Sequence, residues 1–136
     1  MIELAVKHAA LPLRHPFTIS RGTVAVQDTV IVQLREQGRH GYGEATTNPY
    51  YGATVESLTR RISAAAPLLR RHTTDDLDAL LGDLAADLGD DMFARCALDI
   101  AAHDLWGKRQ AAPVHRLWGL DPAAGPLSNY TIGIDT

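Results

Sequence analysis

The sequence has a single cysteine, no long apolar run and no excess of basic charge, and each shortage removes a class of protein. Cys96 alone can form neither an internal disulfide nor a zinc site built on several thiolates, which is typical of a reducing compartment. Charge or proline recurs every few positions over residues 1–20, so neither a secretory signal nor a membrane span is expected there. We therefore expect a cytoplasmic protein with no membrane partner.

The charges of the chain nearly cancel, with 13 basic and 16 acidic residues, but they are unevenly placed. Residues 1–72 hold nine Lys or Arg against five Asp or Glu, whereas residues 73–136 hold four against eleven. Nucleic-acid binding usually needs a concentrated basic face and a high isoelectric point, and here the isoelectric point is near 6.0. No nucleic-acid partner is expected.

What is present suffices for one globular domain, since 46% of the 136 residues are hydrophobic and 21% are charged. Alternating apolar and polar residues predict strands over 2–10 and 28–35, and a third strand is expected at about 39–45. Three sequential strands with short links favour an antiparallel meander.

Prolines and glycines modify this strand pattern. Pro12 and Pro16 are expected to interrupt any regular ladder after the first strand, and residues 20–23 are expected to form a loop. Gly41 and Gly43 weaken the third strand and indicate a bulge or the close approach of another backbone.

From Thr54 the apolar period changes to 3.6 residues and predicts a helical second half. The first expected helix starts at an N-cap on Thr54 and should end or kink at Pro67. The others are expected from Thr73 or Thr74 to Gly89, over residues 91–108, and from Pro113 to Gly119. Residues 91–108 are the most apolar of these segments, so we expect that helix to be central.

The end of the sequence resembles the start of a new unit. Residues 127–134 alternate as a fourth strand, with nothing after it to cover its faces. We therefore expect residues 1–126 to form one domain and residues 127–136 to begin a further, truncated one.

Several polar residues invite a metal or catalytic assignment, and structural roles explain them more simply. Seven aspartates between residues 75 and 91 alternate with leucines at helical spacing, which makes a solvated face rather than a calcium loop. The six histidines include no pair at the spacing of a helical metal site. Asp99, His103 and Asp104 are assigned structural hydrogen bonds, and Cys96 an inert core position.

Two loops could carry binding chemistry. Arg21 lies in a polar loop, where its guanidinium could pair with a carboxylate through two parallel hydrogen bonds or simply be solvated. Tyr50 and Tyr51 follow the third strand and could line a pocket or pack over the meander. The residue pattern by itself leaves both choices open.

Three strings occur in an order that resembles a known family: PFTISRG at 16–22, GYGEA at 41–45 and ARCALDIAAHDL at 94–105. The chain resembles the N-terminal capping domain of the enolase superfamily, in its muconate-lactonizing subgroup, over essentially its whole length. Residues 113–119 and 128–133 are similar to that family's lead into the first strand of its barrel. Among the members, dipeptide epimerases of the L-Ala-D/L-Glu type match best in the arginine loop and in the final Tyr-Thr-Ile-Gly.

The resemblance implies a fold and a reaction. The fold is an α+β cap, a three-stranded antiparallel meander followed by a helical bundle, ending at the first strand of an absent (β/α) barrel. Such enzymes remove the proton α to a carboxylate with one lysine, hold the enediolate on magnesium and return a proton from a second lysine. The family's lysines and metal ligands lie on the barrel, and Lys7 and Lys108 are the only lysines here. We therefore expect no catalytic residue and no metal in this chain, which should be inactive alone.

The resemblance also implies a substrate lid. In the family, the loops that match residues 17–21 and 50–52 close over the barrel mouth and select the side chain of the substrate. By that match Phe17, Arg21, Tyr50 and Tyr51 would bind a dipeptide shared with a C-terminal barrel, with Arg21 facing an anionic group. Thr131 would lie beside the substrate at the end of the first barrel strand.

Two alternatives remain from the sequence. The chain could be the cap of a related cycloisomerase or o-succinylbenzoate-type synthase, although the arginine loop argues against these. It could instead be a free-standing binding module, in which case the strand at 127–134 would need a covering partner, because exposed strand edges invite aggregation. The oligomeric state is left open, and a homo-oligomer is possible.

Overall fold

A computed structural model describes residues 1–129 and contains one antiparallel sheet followed by helices. Its strands are β1 (Glu3–Ile19), β2 (Gly22–Glu36) and β3 (Arg39–Thr46), in the spatial order β1-β2-β3. Each strand pairs with the next one along the chain. The predicted α+β class and three-stranded meander are confirmed.

The hairpin of β1 and β2 is longer than the predicted strands. Its register shifts between Pro12 and Phe17, so the expected interruption by proline is only local. β1 is an edge strand, where a missing backbone N–H leaves the central strand pairing intact. The loop predicted at residues 20–23 is a two-residue turn, Ser20–Arg21, because Gly22 adopts a φ of 137° and begins β2 at once.

The outer half of this hairpin projects beyond β3. The last partner of β3 on β2 is Thr29, so residues 11–27, here named the arm, form a ribbon in which β1 pairs with β2. Five large apolar side chains on the arm are more than one third exposed: Leu11, Phe17, Ile19, Val24 and Val26. Arg21 lies in the turn at its tip.

Helices follow the sheet over the rest of the described chain. They are α1 (Val55–Ala64), α2 (Ala66–Leu69), α3 (Leu77–Leu88), α4 (Met92–Arg109) and α5 (Val114–Leu117). The predicted N-cap is confirmed, because Ser57 N donates to Thr54 Oγ1 at 3.1 Å and Thr54 N donates to Ser57 Oγ at 3.0 Å. The predicted stop at Gly89 is confirmed, because Gly89 directly follows α3. The end or kink expected at Pro67 lies just before it, between α1 and the short α2 that contains Pro67.

The helix α4 lies directly on β3, and two glycines make this possible. Gly41 and Gly43 occupy alternate positions of β3, so both face the helix. A methyl group on Gly41 would come within 2.6 Å of Leu105 Cβ, and one on Gly43 within 2.9 Å of Ala101 N. The close backbone approach predicted from these glycines is confirmed.

The hydrophobic core fills the space between one face of the sheet and the helices. β2 contributes Val30, Val32 and Leu34, which alternate along the strand and are fully buried. The helices contribute the large buried side chains Leu58, Ile62, Leu69, Leu80, Leu84, Leu88, Leu98 and Leu105. The central position expected for the third long helix is confirmed, because the small residues of α4 are fully buried: Ala94, Ala97, Ala101 and Ala102.

The prediction of a core position for Cys96 is wrong, because its side chain is exposed. Cys96 lies four residues from both Met92 and Ile100, which are 60% and 47% exposed. These three residues follow the side of α4 away from β3, whereas Ala97 and Ala101 face the strand. An apolar composition around the whole helix concealed which side would be covered.

A buried ion pair joins the β2–β3 turn to the end of α4. The Glu36 side chain is 1% exposed, and its Oε2 accepts hydrogen bonds from Arg109 Nη1 at 2.8 Å and from the Thr74 hydroxyl at 2.8 Å. Arg109 Nη2 lies 3.0 Å from an Asp75 carboxylate oxygen. The sheet, the segment before α3 and the C-terminal end of α4 are thereby tied at one point.

The last part of the chain is only partly described. The predicted short helix between Pro113 and Gly119 is confirmed as α5. Residues 127–129 are in neither helix nor strand, and the rest of the strand predicted at 127–134, including Thr131, lies outside the described residues. Within residues 1–129 no helix is long and apolar enough to cross a membrane.

We predict that Gly41→Ala or Gly43→Ala lowers the free energy of unfolding by about 3 kcal/mol, because the added methyl group forces α4 away from β3. Urea unfolding followed by circular dichroism measures the change. Gly82→Ala is the matched control: Gly82 lies within α3 with open space around it, so alanine should stabilise the helix by about 0.5–1 kcal/mol. Equal effects at Gly41 and Gly82 would contradict the close contact.

We also predict that Arg109→Ala destabilises the fold by roughly 3–5 kcal/mol, because it leaves the Glu36 carboxylate buried without its main counter-charge. The same denaturation experiment measures it. The control is Arg35→Ala, which breaks the pair with Glu3 whose side chains are 58% and 65% exposed, and should cost less than about 1 kcal/mol. Similar losses for the two arginines would refute the importance of the buried pair.

Candidate functional site

The tip of the arm meets the loop that follows β3. The guanidinium carbon of Arg21 lies 5.1 Å from the centre of the Tyr50 ring, within the range of a cation–π contact. Residues 47–53, here named the tyrosine loop, contain both tyrosines predicted to bind substrate. The structure therefore brings together two segments that are about thirty positions apart in the sequence.

Local hydrogen bonds give the tyrosine loop a closed shape. Asn48 and Ala53 exchange two backbone hydrogen bonds, at 2.9 Å and 3.0 Å. The Asn48 side chain accepts a hydrogen bond from Tyr50 N at 3.1 Å, and Pro49 begins a single 3₁₀ turn. Gly52 then takes a φ of 67°, which closes the turn. Asparagine, proline and glycine are the residue types that such a compact loop requires.

A second set of hydrogen bonds fixes the tyrosine loop to the base of the arm. Thr47 N and the Thr47 hydroxyl both donate to Asp28 O, at 3.0 Å and 2.9 Å. Gln27 Nε2 donates to Thr47 Oγ1 at 3.2 Å. The loop is thus held at its start by β2, while Tyr50 meets the arm again at the tip.

Aromatic contacts continue from the tyrosine loop to α4. The rings of Tyr50 and Tyr51 meet edge to face with centres 4.8 Å apart, and the Tyr51 ring lies 5.9 Å from that of Phe93. Phe93 is the second residue of α4. Phe93 belongs to the apolar segment 91–108, and nothing in the local pattern of that segment shows that a distant loop packs on it.

The structure brings together three of the five residues predicted to bind substrate. Arg21, Tyr50 and Tyr51 form one cluster. Phe17 lies on the arm opposite Val24 and is 37% exposed, and no aromatic contact joins it to that cluster within the described residues. Thr131 lies outside the described residues. The role of all five in binding substrate stays a prediction.

The cluster is open to solvent and carries a positive charge. Tyr50 and Tyr51 are 72% and 68% exposed. Among residues 1–129, no carboxylate forms a salt bridge with Arg21. A guanidinium that rests on an aromatic face still presents N–H groups at its edge, and these match the two oxygens of a carboxylate. The arrangement can therefore bind an anionic group.

Most members of the acidic run have structural partners, as predicted. Asp76 and Asp91 cap α3 and α4, with their Oδ1 atoms accepting from Ala79 N at 3.1 Å and from Ala94 N at 3.0 Å. Three more pair with basic side chains: Asp75 with Arg109, Asp83 with His72, and Asp87 with Arg61. Within the described residues, no group of three or more His, Cys, Asp or Glu side chains could hold a metal ion. These residues therefore do not fit a magnesium site.

The polar groups of α4 also have the structural roles predicted for them. Asp104 Oδ2 accepts from Tyr42 N at 2.8 Å and from Lys108 Nζ at 2.6 Å, which attaches the helix to β3. His103 Nδ1 lies 3.0 Å from the Asp99 carboxylate, one helical turn earlier. Asp99, His103 and Asp104 have no contact with the cluster of Arg21 and the two tyrosines among the described residues.

The three-stranded meander, the helices on one face, and the arm and tyrosine loop meeting at one end are the arrangement expected of an enolase-type α+β capping domain. Residues 1–119 match the family described as the mandelate racemase / muconate lactonizing enzyme N-terminal domain, and the chain belongs to that family. The expected resemblance to the N-terminal caps of dipeptide epimerases is confirmed by the relatives that follow.

Two relatives are named L-Ala-D/L-amino acid epimerase. The protein from Flavobacterium johnsoniae is 35% identical over 133 residues, and the match covers 98% of this chain and 40% of the relative. The protein from a Maribacter species is 40% identical over 136 residues, covering 98% of this chain and 39% of the relative. The chain thus spans about two fifths of the length of these relatives.

A solved structure extends the comparison to three dimensions. A dipeptide epimerase from Methylococcus capsulatus, complexed with Mg and the dipeptide L-Arg-D-Lys, superimposes with a TM-score of 0.77 at 28% identity. The match covers 87% of this chain and 34% of that one. The fold of the described residues is therefore that of the corresponding part of a dipeptide epimerase.

We predict that Arg21 and Tyr50 are energetically coupled by about 0.5–1 kcal/mol, the usual size of an exposed cation–π contact. A double-mutant cycle with Arg21→Ala and Tyr50→Leu, read from the free energy of unfolding, measures the coupling. Tyr42 is the matched control, because its ring partner is Lys108 and its coupling to Arg21 should be near zero. Equal coupling of Arg21 to both tyrosines would argue against the contact.

Proposed function

We propose that this chain is the specificity lid of a dipeptide epimerase, an enzyme that inverts the carbon α to a carboxylate by proton transfer. The observation that carries the proposal is the meeting of Arg21 with Tyr50. The arm and the tyrosine loop, which the family resemblance assigns to the lid, converge on one exposed, cationic and aromatic surface.

The names of the relatives support the reaction class. Two of them are L-Ala-D/L-amino acid epimerases, and a solved relative holds Mg together with a dipeptide. Because the chain spans about two fifths of the two epimerases, the activity belongs to a longer protein. We assign residues 1–126 to the cap and residues 127–136 to the start of the barrel domain.

The proposed contribution of this chain is to select and enclose the substrate. Arg21 donates hydrogen bonds to an anionic group of the dipeptide, while the face of the Tyr50 ring holds the guanidinium by a cation–π contact. Phe17, Tyr51 and Thr131 complete the walls around the side chain of the substrate. Closing the lid excludes water from the reacting carbon and strengthens the charge interactions inside.

The remaining chemistry is assigned outside the described residues. Five of the seven aspartates between residues 75 and 91 already cap helices or pair with basic groups, so we place the magnesium and the two proton-transferring lysines on the barrel. When bound there, magnesium supplies electrostatic stabilisation to the carboxylate of the substrate. The cap alone is expected to be inactive. A cytoplasmic location and a homo-oligomeric state stay predictions.

We expect the protein encoded by the complete gene to epimerise L-Ala-L-Glu in the presence of magnesium. Arg21→Ala should lower kcat/KM for this acidic dipeptide by about tenfold to a hundredfold, because one charge-assisted interaction is lost. The loss for L-Ala-L-Leu should be much smaller. Exchange of the α-proton in D₂O, followed by NMR, measures both reactions.

Arg39→Ala is the matched control, because Arg39 is exposed at the β2–β3 turn, at the opposite end of the sheet from the arm. It should leave both dipeptides unaffected. If Arg21→Ala does not alter the preference for acidic dipeptides, the assignment of Arg21 is wrong. If no dipeptide reacts but a muconate or a succinylbenzoate precursor does, the related cycloisomerase or synthase replaces the epimerase.

A further inference from the structure

Phe93 is a residue that no substrate loop contains, yet it contacts one of them. Its ring centre lies 5.9 Å from that of Tyr51, with the two planes inclined by 50°. Tyr51 in turn meets Tyr50, whose ring supports the Arg21 guanidinium. A continuous series of contacts therefore runs from α4 through the tyrosine loop to the tip of the arm.

The two ends of this series differ in how firmly they are held. Phe93 packs against the hydrophobic core and precedes Ala94, which is fully buried and whose N–H is capped by Asp91 at 3.0 Å. The backbone of α4 lies against Gly41 and Gly43 of β3. Tyr50 and Tyr51, by contrast, are both more than two thirds exposed.

The hydrogen bonds described for the tyrosine loop join it to itself and to β2, and none of them involves α4. They set the shape of the loop and attach Thr47 to Asp28 at its start. The far end of the loop, where the tyrosines lie, meets α4 through Tyr51 and Phe93. Phe93 therefore supplies the aromatic contact between α4 and this end of the loop.

We propose that Phe93 is a positioning residue: it holds Tyr51, and through Tyr51 and Tyr50 it sets the place of the Arg21 guanidinium. The effect on substrate selection rests on the proposed function, whereas the effect on the loop does not. A groove of about 580 Å³ beside Phe93, lined also by Tyr51, Met92 and Leu58, gives the loop room to shift when this contact is lost.

The test is hydrogen–deuterium exchange on the protein encoded by the complete gene. In Phe93→Leu, the amides of residues 47–53 should exchange about three- to tenfold faster, which corresponds to the loss of one aromatic pair. The amides of residues 97–105 should not change, because leucine preserves the apolar packing of α4. Phe93→Tyr keeps the ring and should restore slow exchange in the loop.

A second readout follows the guanidinium itself. The side-chain protons of Arg21 lie beside the Tyr50 ring, so their NMR signals should lose the ring-current shift in Phe93→Leu and keep it in Phe93→Tyr. Met92→Ala is the matched control: Met92 lines the same groove, is 60% exposed and has no aromatic ring. It should leave both the exchange of residues 47–53 and the Arg21 signals unchanged.

The inference is overturned if Phe93→Leu leaves loop exchange and Arg21 signals unchanged, or if it accelerates residues 97–105 equally, which would show a general packing role. In an active enzyme, Phe93→Leu should raise KM for an acidic dipeptide several-fold more than for a neutral one. Local loosening in a protein that epimerises no dipeptide would support the positioning role and refute the proposed function alone.

Discussion

At Gly41 and Gly43 the backbones of β3 and α4 lie against each other with no side chain between them. The packing of the remaining sheet and helices depends on this contact. It sets the distance between helix and sheet, and that distance decides how much room is left for Val30, Val32 and Leu34 of β2. Asp104 strengthens the same junction by accepting a hydrogen bond from Tyr42 N. Close packing of this kind transmits any displacement of the helix directly to the strand.

The same junction determines where the candidate site lies. β3 leads directly into the tyrosine loop, and Phe93 lies in the first turn of α4, so this pair of elements presents both the loop and the surface beneath it. The arm reaches this place from the other side, because β1 and β2 continue beyond the end of β3. A rigid base with exposed loops at one end is a common arrangement for binding sites.

Charge is used differently in the interior and at the site. Glu36 is buried and its Oε2 is held by Arg109 and Thr74, so it joins three segments inside the protein. Arg21 is instead placed at the tip of a projecting ribbon on an exposed ring. The resemblance assigned a binding role to Arg21 but none to Arg109, although both are single arginines in polar surroundings. Their burial and their partners give the physical reason for this difference.

The sequence by itself determined the local elements, because hydrophobic period and capping act over a few residues: Thr54 and Gly89 bound helices as expected. Gly41 and Gly43 indicated either a bulge or a close backbone approach, and the structure shows the close approach. Tertiary structure alone decided which side of α4 is covered, leaving Cys96 exposed, and which residues meet at the arm. Contacts such as Tyr51 with Phe93 join positions about forty residues apart, and a local pattern carries no information about them.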